Sequence, residues 1–442
     1  MSSSTPNLRK STIRAGFWTV GGHLANQGLR FAGNLILTRL LFPEAFGLMA
    51  IVQSVLVGIT MLSDVGITPS IIRHENGEHP RFLNTGWTLQ VVRGISMYLV
   101  LLLLTIPMAN FYNQPLLLQL LPVVGLTAIL NGFVSTYVPL ANRRMQLSRV
   151  TLLEVGSYAI GLFAMVVIAW LDRSIWALVW GGLIGAACKT ILSHLIFDPP
   201  RNTFAWDKES LHELIHFGRW VMLGSMVTFL AGEGSRLVAA KFLGMEQMAY
   251  FTIAMTLNLM LQQLITQVGD KALYPAYAKL NREDPVRLYR ALRKSRMVQI
   301  APSWLVSVGF VFLGGWLIRI LYDPRYAPAG WMLQIVAMGP LVGGLIRSYG
   351  GILWAKGRAS TNTKLLSLQV LVQLSYMVAG AHFWGVPGVI LSFPAAAWTL
   401  YPVHAWAYKK LGLWQPEVDL PVILLSAVIV GYVLTQTRNI GL

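Results

Sequence analysis

Charged residues are scarce in this sequence. Asp, Glu, Lys and Arg make up 12% of the 442 residues, whereas an average soluble domain contains about 25%. Cysteine occurs once, at Cys188, which excludes an intramolecular disulfide and says nothing about the compartment. The chain has no GxxxxGK[ST] phosphate loop, so it shows no ATPase of its own. An ordinary soluble globular protein is therefore excluded.

Apolar residues dominate instead. They make up 55% of the chain, and runs of about 20 residues, long enough to cross a bilayer, recur from end to end. The first run is too long for a signal-peptide core, so we expect it to stay in the mature protein. The sequence predicts an all-α polytopic membrane protein with about thirteen transmembrane helices. These lie near residues 15–41, 46–66, 84–108, 116–140, 151–171, 175–196, 213–235, 247–269, 298–320, 328–354, 362–384, 387–407 and 420–437.

The net charge of +17 is explained by the placement of the basic residues. Of the 35 Lys and Arg residues, 22 lie on one set of alternate segments outside the predicted helices, five on the other set and eight within helices. Basic loops mark the cytoplasmic side of a membrane protein. We therefore expect a cytoplasmic N-terminus and no nucleic-acid partner.

An internal repeat divides the chain into two halves. Shifting the sequence by 202 residues gives seven identities over residues 16–51, including Trp18 on Trp220 and Glu44 on Glu246. A second match, at an offset of 214, places Gly125 on Gly339. Six helices per half would give parallel repeats, as in many transporters. We predict a six-helix bundle in residues 1–205, a second in 206–412, and an additional transmembrane helix in 413–442.

The longest segment between predicted helices is basic. Residues 270–297 carry eight Lys and Arg residues. We interpret them first as a simple topology anchor. The alternative is an interfacial amphipathic helix that turns Val286, Tyr289 and Leu292 inward and its arginines toward anionic headgroups.

The first predicted helix carries polar residues on one face. His23, Asn26, Gln27, Arg30 and Asn34 follow spacings of three, four and seven. An ionised arginine near the bilayer centre costs at least about 2.5 kcal/mol, so it should face protein or water. The stripe indicates a hydrated cavity that meets an anionic ligand. A hydrogen-bonded seam between helices is the alternative.

The second half repeats this pattern. Glu233 and Arg236 lie one turn apart, in an arrangement that suits either mutual neutralisation or transport. The eighth helix carries polar residues at four-residue spacing: Asn258, Gln262, Thr266 and Asp270. Arg93 and Arg347 lie deep in other apolar segments. Because the embedded charges are mostly positive, the sequence predicts an anionic substrate such as a phosphate or pyrophosphate, to which arginine donates paired hydrogen bonds.

The motif HELIH, residues 212–216, matches a zinc-protease pattern. Two histidines on one helical face would bind the metal and Glu213 would activate water. The pattern is short, and no third ligand is evident. We therefore interpret it as coincidental and expect no metal, no cofactor and no enzymatic activity.

Several segments together resemble a transporter family. They are LTRLLFPEAFGLMAIV (37–52), SDVGITPSIIR (63–73), LANRRMQLSRVTLLEVGSYAIG (140–161), ELIHFGRWVMLGSMV (213–227) and ALYPAYAKL (272–280). Through these segments the chain resembles polysaccharide exporters of the Wzx type, within the multidrug/oligosaccharidyl-lipid/polysaccharide superfamily. Among these, it most resembles the exopolysaccharide and colanic-acid type of exporter.

The resemblance implies a V-shaped molecule in which two six-helix bundles surround a central cavity that opens alternately to either side. Its substrate would be an undecaprenyl-pyrophosphate-linked oligosaccharide, carried from the cytoplasmic to the periplasmic leaflet of the bacterial inner membrane. Membrane lipids, a polysaccharide polymerase and a chain-length regulator are the expected partners. Family members often have twelve or fourteen helices, so thirteen is a departure.

We assign candidate roles on this basis. Pyrophosphate would be attracted by arginines, sugar hydroxyls would bind polar side chains, and carboxylates would couple transport to a proton or sodium ion. A cation-coupled multidrug extruder and a peptidoglycan-precursor flippase remain alternatives. The three sets are Arg30, Arg93, Arg236 and Arg347; His23, Asn26, Gln27, Asn131, Asn258 and Gln262; and Asp64, Glu233 and Asp270.

Overall fold

The computed structural model describes residues 8–197, 202–260, 262–263, 277, 285–356 and 358–438. Every regular element within these ranges is a helix. Nine helices in the described part of the chain are long and apolar enough to cross a membrane, or ten if one bent pair forms a single span. The predicted all-α polytopic architecture is confirmed. The count of thirteen spans stays a prediction.

The helices fall into two compact units, residues 1–229 and 230–442. The predicted bundle boundary at 205/206 stays a prediction. The first unit contains α1 (Leu8–Leu40), α2 (Pro43–Leu62), α3 (Ile67–Arg73), a 3-10 turn (Glu75–Glu78), α4 (Pro80–Tyr112), α5 (Leu117–Gly132), α6 (Tyr137–Arg143), α7 (Leu147–Asp172), α8 (Trp176–Leu195) and α9 (Lys208–Phe229).

The second unit begins with a π-helical turn, Leu230–Gly234. Its helices are α10 (Ser235–Phe242), α11 (residues 245–260), α12 (Pro285–Leu321), α13 (Ala329–Val336), α14 (Met338–Arg347), α15 (Gly350–Ala355), α16 (Ala359–Lys410) and α17 (Pro416–Arg438). The turn between Leu40 and Pro43 recurs 202 residues later, between Phe242 and residue 245. This agrees with the offset of the predicted repeat, although pseudo-symmetry of the two halves stays a prediction.

Helix ends follow local sequence signals. α2 and α4 each begin with a proline at the first helical position, where no backbone N–H is needed. Gly66 precedes α3 in the left-handed conformation, with φ of 62°, which a residue without a Cβ adopts at little cost. Asp64 stabilises this turn, since its Oδ1 accepts a hydrogen bond from the Gly66 backbone N–H at 3.0 Å.

Close helix packing depends on small residues. A Cβ at Gly161 on α7 would lie 2.9 Å from the Gly181 carbonyl oxygen and 2.9 Å from the Gly185 Cα on α8. Backbones can approach this closely only where side chains are absent, a common arrangement between membrane helices. α7 and α8 therefore form a tight pair within the first unit.

Two predicted helices are joined in α16. Gly385, with φ of 58°, breaks the helical geometry between the predicted segments 362–384 and 387–407. The chain turns back sharply there, because a Cβ at Gly380 would lie 2.4 Å from the Gly388 carbonyl oxygen. Conversely, the predicted single helix 116–140 is α5 and α6, which meet at an angle of 55°.

The basic segment 270–297 differs in part from expectation. Most of residues 270–284 lie outside the described residues, and from residue 285 the chain belongs to α12, which continues to Leu321. Leu292 is buried and Arg293 is exposed, as an amphipathic helix requires. The expectation that the arginines face headgroups is wrong for Arg296, which is completely buried. It has an acidic partner on α17, Asp419, far away in the sequence.

Candidate functional site

The polar residues predicted to share one helical face, His23 to Asn34, all lie on α1. α1 packs against α7, since a Cβ at Gly33 would lie 2.4 Å from the Leu162 side chain. His23 Nε2 and Asn26 Oδ1 are buried atoms without a hydrogen-bond partner. Gln27 is half-buried and Arg30 is exposed. The face therefore combines unsatisfied polar atoms with an accessible cation.

A cavity of about 370 Å³ lies beside this face, between α7 and α8. We call it the α7–α8 cavity. Asn26 is the predicted sugar-binding residue that reaches it. Its wall also includes a carboxylate, a phenol and an ammonium group, from Glu154, Tyr158 and Lys189.

A second cavity of about 380 Å³, the α4–α5 cavity, contains two more predicted residues, Arg93 and Asn131. Gln53, Gln90 and Lys189 also line it. Lys189 thus borders both the α7–α8 cavity and the α4–α5 cavity, and none of the ion pairs in the described part of the chain includes it. Two cationic side chains face one small polar space.

Arg93 is held in a defined direction. Its Nη2 donates to the Thr60 carbonyl oxygen at 2.6 Å, and its Nε donates to Ser63 Oγ at 3.1 Å. Both acceptors are uncharged and lie on α2 or at its end, so they orient the guanidinium without neutralising it. Asp64 attracts Arg93 electrostatically but forms no ion pair with it among the described residues. The remaining N–H groups of the guanidinium can donate hydrogen bonds to an anion.

The second unit contains a cavity of about 300 Å³ next to α10 and α14. We call it the α10–α14 cavity. Four of the predicted site residues line it, and they come from three helices and the π-helical turn. Two glutamines of α16 complete the polar part of the wall. These are Glu233, Arg236, Asn258, Arg347, Gln369 and Gln373.

Charge in this cavity is partly neutralised. Arg236 Nη1 lies 3.1 Å from Glu233 Oε1 in a partly buried ion pair. Arg347 has no carboxylate partner among the described ion pairs, and its Nη2 donates to Gln262 Oε1 at 3.2 Å. The net positive charge of the cavity is therefore supplied by Arg347.

Asn258 and Gln262 have different surroundings. Asn258 is 4% exposed, and its Oδ1 has no hydrogen-bond partner although it borders the cavity. Gln262 is buried behind the cavity, where its Nε2 donates to Ser307 Oγ at 3.1 Å. Its observed contacts orient Arg347, and its predicted contact with sugar stays a prediction.

The three predicted coupling carboxylates are not alike. Asp64 accepts from the Gly66 backbone and, at 3.3 Å, from the Ser225 hydroxyl. Glu233 is paired with Arg236, and Asp270 lies outside the described residues. A role for any of them in ion coupling stays a prediction.

Sequence reasoning did not assign Lys189, Gln369 or Gln373 to the site. The glutamines are four residues apart in an otherwise apolar stretch, LSLQVLVQL (366–374), and this spacing places them on one helical face. That signal was available. Lys189 lies near one end of its predicted helix, residues 175–196, where a lysine side chain can reach the membrane surface, so its position in the sequence does not indicate a cavity.

The HELIH residues have partners that do not suit a metal. His74 Nε2 lies 3.0 Å from Glu213 Oε2. Within the described ranges, no group of three or more His, Cys, Asp or Glu residues is arranged to hold a metal ion. Glu213 therefore contacts a histidine on α3's end rather than a site for catalytic water.

Comparisons with known proteins agree on the family. The family described as "Polysaccharide biosynthesis protein" matches residues 36–330. The chain is 22% identical over 436 residues to the lipopolysaccharide biosynthesis protein WzxC of Escherichia coli strain K12, covering 95% of this chain and 88% of that protein. It is 21% identical over 446 residues to the succinoglycan biosynthesis transport protein ExoT of Rhizobium meliloti strain 1021, covering 97% and 88%.

Solved structures agree on the fold. The lipid II flippase MurJ in an inward closed conformation superposes with a TM-score of 0.71 at 11% identity, covering 96% of this chain and 93% of that chain. An inward-facing multidrug resistance MATE family transporter of the MOP superfamily gives 0.69 at 12% identity, covering 91% and 95%. These identities are too low to carry more than the fold.

Proposed function

The chain belongs to the polysaccharide biosynthesis protein family, and from this premise we propose that it is a flippase for undecaprenyl-pyrophosphate-linked oligosaccharides. It is a transporter rather than an enzyme in this proposal, and it works by alternating access. The oligosaccharide repeat units that it carries across the membrane would be used to build a surface polysaccharide of the exopolysaccharide, O-antigen or colanic-acid type.

The observation that carries the proposal is a set of cations in apolar helices that form no ion pair among the described residues. Arg93 and Lys189 line one cavity, and Arg347 lines another. A cation without a counter-ion in an apolar helix is costly, and it is retained where an anionic ligand or water completes its surroundings. Arg93 and Lys189 are half-buried, and Arg347 is exposed. A pyrophosphate supplies that negative charge, and the fork of arginine matches its oxygen atoms.

The uncharged polar residues suit the sugar. Amides both donate and accept, as hydroxyl groups do, and the glutamines and asparagines of the two units provide several. Asn26 and Asn258 have buried oxygen atoms without partners, which a sugar hydroxyl can satisfy. Arg30 and His23 would extend this surface along α1, and the polyprenyl tail would remain in lipid.

Location and partners follow from the same proposal. We place the protein in the bacterial inner membrane, with its N-terminus in the cytoplasm. Basic residues on alternate segments support this orientation. A polymerase and a chain-length regulator would receive the repeat unit on the periplasmic side of the membrane.

The test is made in a strain that lacks the gene. Membrane lipids are extracted, undecaprenyl-pyrophosphate-linked oligosaccharides are quantified by mass, and their leaflet is assigned by accessibility to an impermeant reagent. We expect complete repeat units to accumulate on the cytoplasmic side while surface polysaccharide is lost. Complementation with the wild-type gene should reverse both effects.

Other outcomes point to other transporters. Unchanged lipid-linked oligosaccharides with intact polysaccharide would overturn the proposal and favour a small-molecule extruder. Accumulation of the peptidoglycan precursor, with loss of viability, would instead identify a peptidoglycan-precursor flippase. Resistance to ethidium-like compounds on overexpression would support the extruder directly.

A further inference from the structure

A pocket of about 520 Å³ in the first unit lies outside both cavities described above. It forms where α3 and the N-terminal half of α9 face each other. Ser70, Arg73 and His74 come from α3 and its end, and His212, His216 and Trp220 come from α9. Each set follows spacings of three or four residues, so each lies on one helical face. We call it the α3–α9 pocket.

Ser70 points to a missing ligand. Its side chain is 6% exposed, and its Oγ is a buried atom with no hydrogen-bond partner. A buried hydroxyl without a partner costs about 1–3 kcal/mol. Because Ser70 lines the pocket, an acceptor atom bound there would remove this cost.

Arg73 supplies the charge. Its guanidinium carbon lies 4.5 Å from the centre of the Phe217 ring, a cation–π contact that fixes its plane. No described carboxylate forms an ion pair with it. The N–H groups of Arg73 therefore remain available to an anion with several oxygen atoms.

His216 supplies a further donor. Its Nε2 lies 3.4 Å from Arg219 Nη2, and because arginine can only donate, this nitrogen is an acceptor. The proton of the neutral ring is then on Nδ1, which remains free to donate. The ring lies 6.1 Å from that of His212, its neighbour one turn earlier.

The one carboxylate of the pocket is already engaged. His74 Nδ1 accepts from the Asn76 backbone N–H at 3.2 Å, so its proton is on Nε2. This Nε2–H donates to Glu213 at 3.0 Å, and the ring is stacked on Phe82. Glu213 is thus held against His74, which reduces its repulsion of an incoming anion.

We propose that the α3–α9 pocket binds a phosphate group. Phosphate oxygens only accept hydrogen bonds, and the pocket offers the Ser70 hydroxyl, the Arg73 guanidinium and the His216 ring N–H. Trp220, at the rim, is 64% exposed and can pack against an apolar group attached to the phosphate. A lipid headgroup and a soluble phosphate share this chemistry. The site does not depend on the proposed transport function.

Binding to the purified full-length protein in a zwitterionic detergent tests the proposal. Two probes are titrated by calorimetry: inorganic phosphate and dihexanoyl phosphatidic acid, which carries a phosphate and short acyl chains. We expect Arg73→Ala to weaken binding about tenfold or more, Ser70→Ala to weaken it by a smaller factor, and Arg73→Lys to lie between Arg73→Ala and wild type. Arg81→Ala is the matched control, since Arg81 is an exposed arginine outside the pocket.

The two probes separate the sources. Binding of the lipid alone, weakened by Arg73→Ala, supports a headgroup site, and similar binding of both probes supports a soluble phosphate. The proposal is overturned if neither probe binds at millimolar concentration. It is also overturned if Arg73→Ala and Arg81→Ala change the affinity equally. Unaltered thermal unfolding of Ser70→Ala and Arg73→Lys excludes misfolding as the cause.

Discussion

Arg296 on α12 and Asp419 on α17 form an ion pair in which both side chains are completely buried. Arg296 also donates to Ser348 Oγ at 2.9 Å and to Gln415 Oε1 at 3.2 Å. Its guanidinium carbon lies 3.7 Å from the centre of the Tyr349 ring. Asp419 is further held by the Tyr401 hydroxyl, at 2.7 Å.

This network fastens the last helix to the second unit. Desolvating two charges is expensive, and the cost is offset only where the remaining donors and acceptors are satisfied. The partners of Arg296 and Asp419 come from α12, from the turn between α14 and α15, from α16, and from the chain around the start of α17. Whether or not α17 completes a thirteenth span, its N-terminal end is part of the packed core.

Removal of one charge should therefore destabilise the protein. Arg296→Ala leaves Asp419 buried and unpaired, and we expect a loss of about 3–5 kcal/mol in the free energy of unfolding. Arg293→Ala, an exposed position on the same helix, should change it by less than about 0.5 kcal/mol. Thermal unfolding in detergent measures both. Equal stability of the two variants would contradict the assigned role of the pair.

The cations of the α4–α5 cavity should be required for transport. Arg93→Ala and Lys189→Met each remove a charge-assisted contact worth about 1.5–3 kcal/mol, so export should fall about tenfold or more. Lys189→Arg, which keeps the charge, should retain most activity. Surface polysaccharide is measured at matched protein levels in the membrane. Full export by Lys189→Met would remove Lys189 from the site.

The same assay tests the arginines chosen from the sequence alone. Arg30→Ala and Arg236→Ala should each abolish export without lowering the amount of protein in the membrane. Unimpaired export by both variants would show that the polar faces of α1 and α10 serve packing only.

Glu233 and Arg236 either neutralise each other or take part in transport, and exchanging the two residues distinguishes these roles. Glu233→Arg combined with Arg236→Glu preserves mutual neutralisation but moves the cation by one helical turn. A purely structural pair should tolerate the exchange, with export near the wild-type level. A cation that must meet pyrophosphate at the Arg236 position should not, and we expect export to be lost while thermal unfolding changes little.

The pH dependence of stability should report the pair between Glu78 and Arg144. A hydrogen bond from Arg144 at 2.7 Å holds the pKa of Glu78 below its ordinary value. A lowered carboxylate pKa stabilises the fold above the unfolded value of about 4.3 and loses this contribution as the pH falls through the folded value.

Glu78→Gln should therefore cost about 0.2–1 kcal/mol at neutral pH, since the pair is solvent-exposed, and nothing once the wild-type carboxyl is protonated. Glu75→Gln, in the same 3-10 turn, is the control for the loss of a carboxylate. Thermal unfolding measured from neutral to acidic pH distinguishes them. A constant difference between Glu78→Gln and wild type at every pH would contradict the assignment.

Part of the site was predictable from spacing. Polar residues within apolar helices identified Asn26, Arg93, Asn258 and Arg347, which all border cavities. A polar atom is costly in lipid, so its position in an apolar segment by itself implies a protein or water partner. Spacing could not show that Gln262 lies behind Arg347, because that depends on how α14 approaches residue 262.

The sequence by itself determined the membrane class, the helical architecture and the sidedness expected for the loops. These follow from the thickness of the bilayer and from the distribution of basic residues, which are properties of short segments. Only the tertiary structure decided that Arg296 belongs to a buried network and that Lys189 borders two cavities. Both features depend on contacts between helices that are far apart in the chain. Close packing of the whole fold determines those contacts, so the sequence of a short segment cannot predict them.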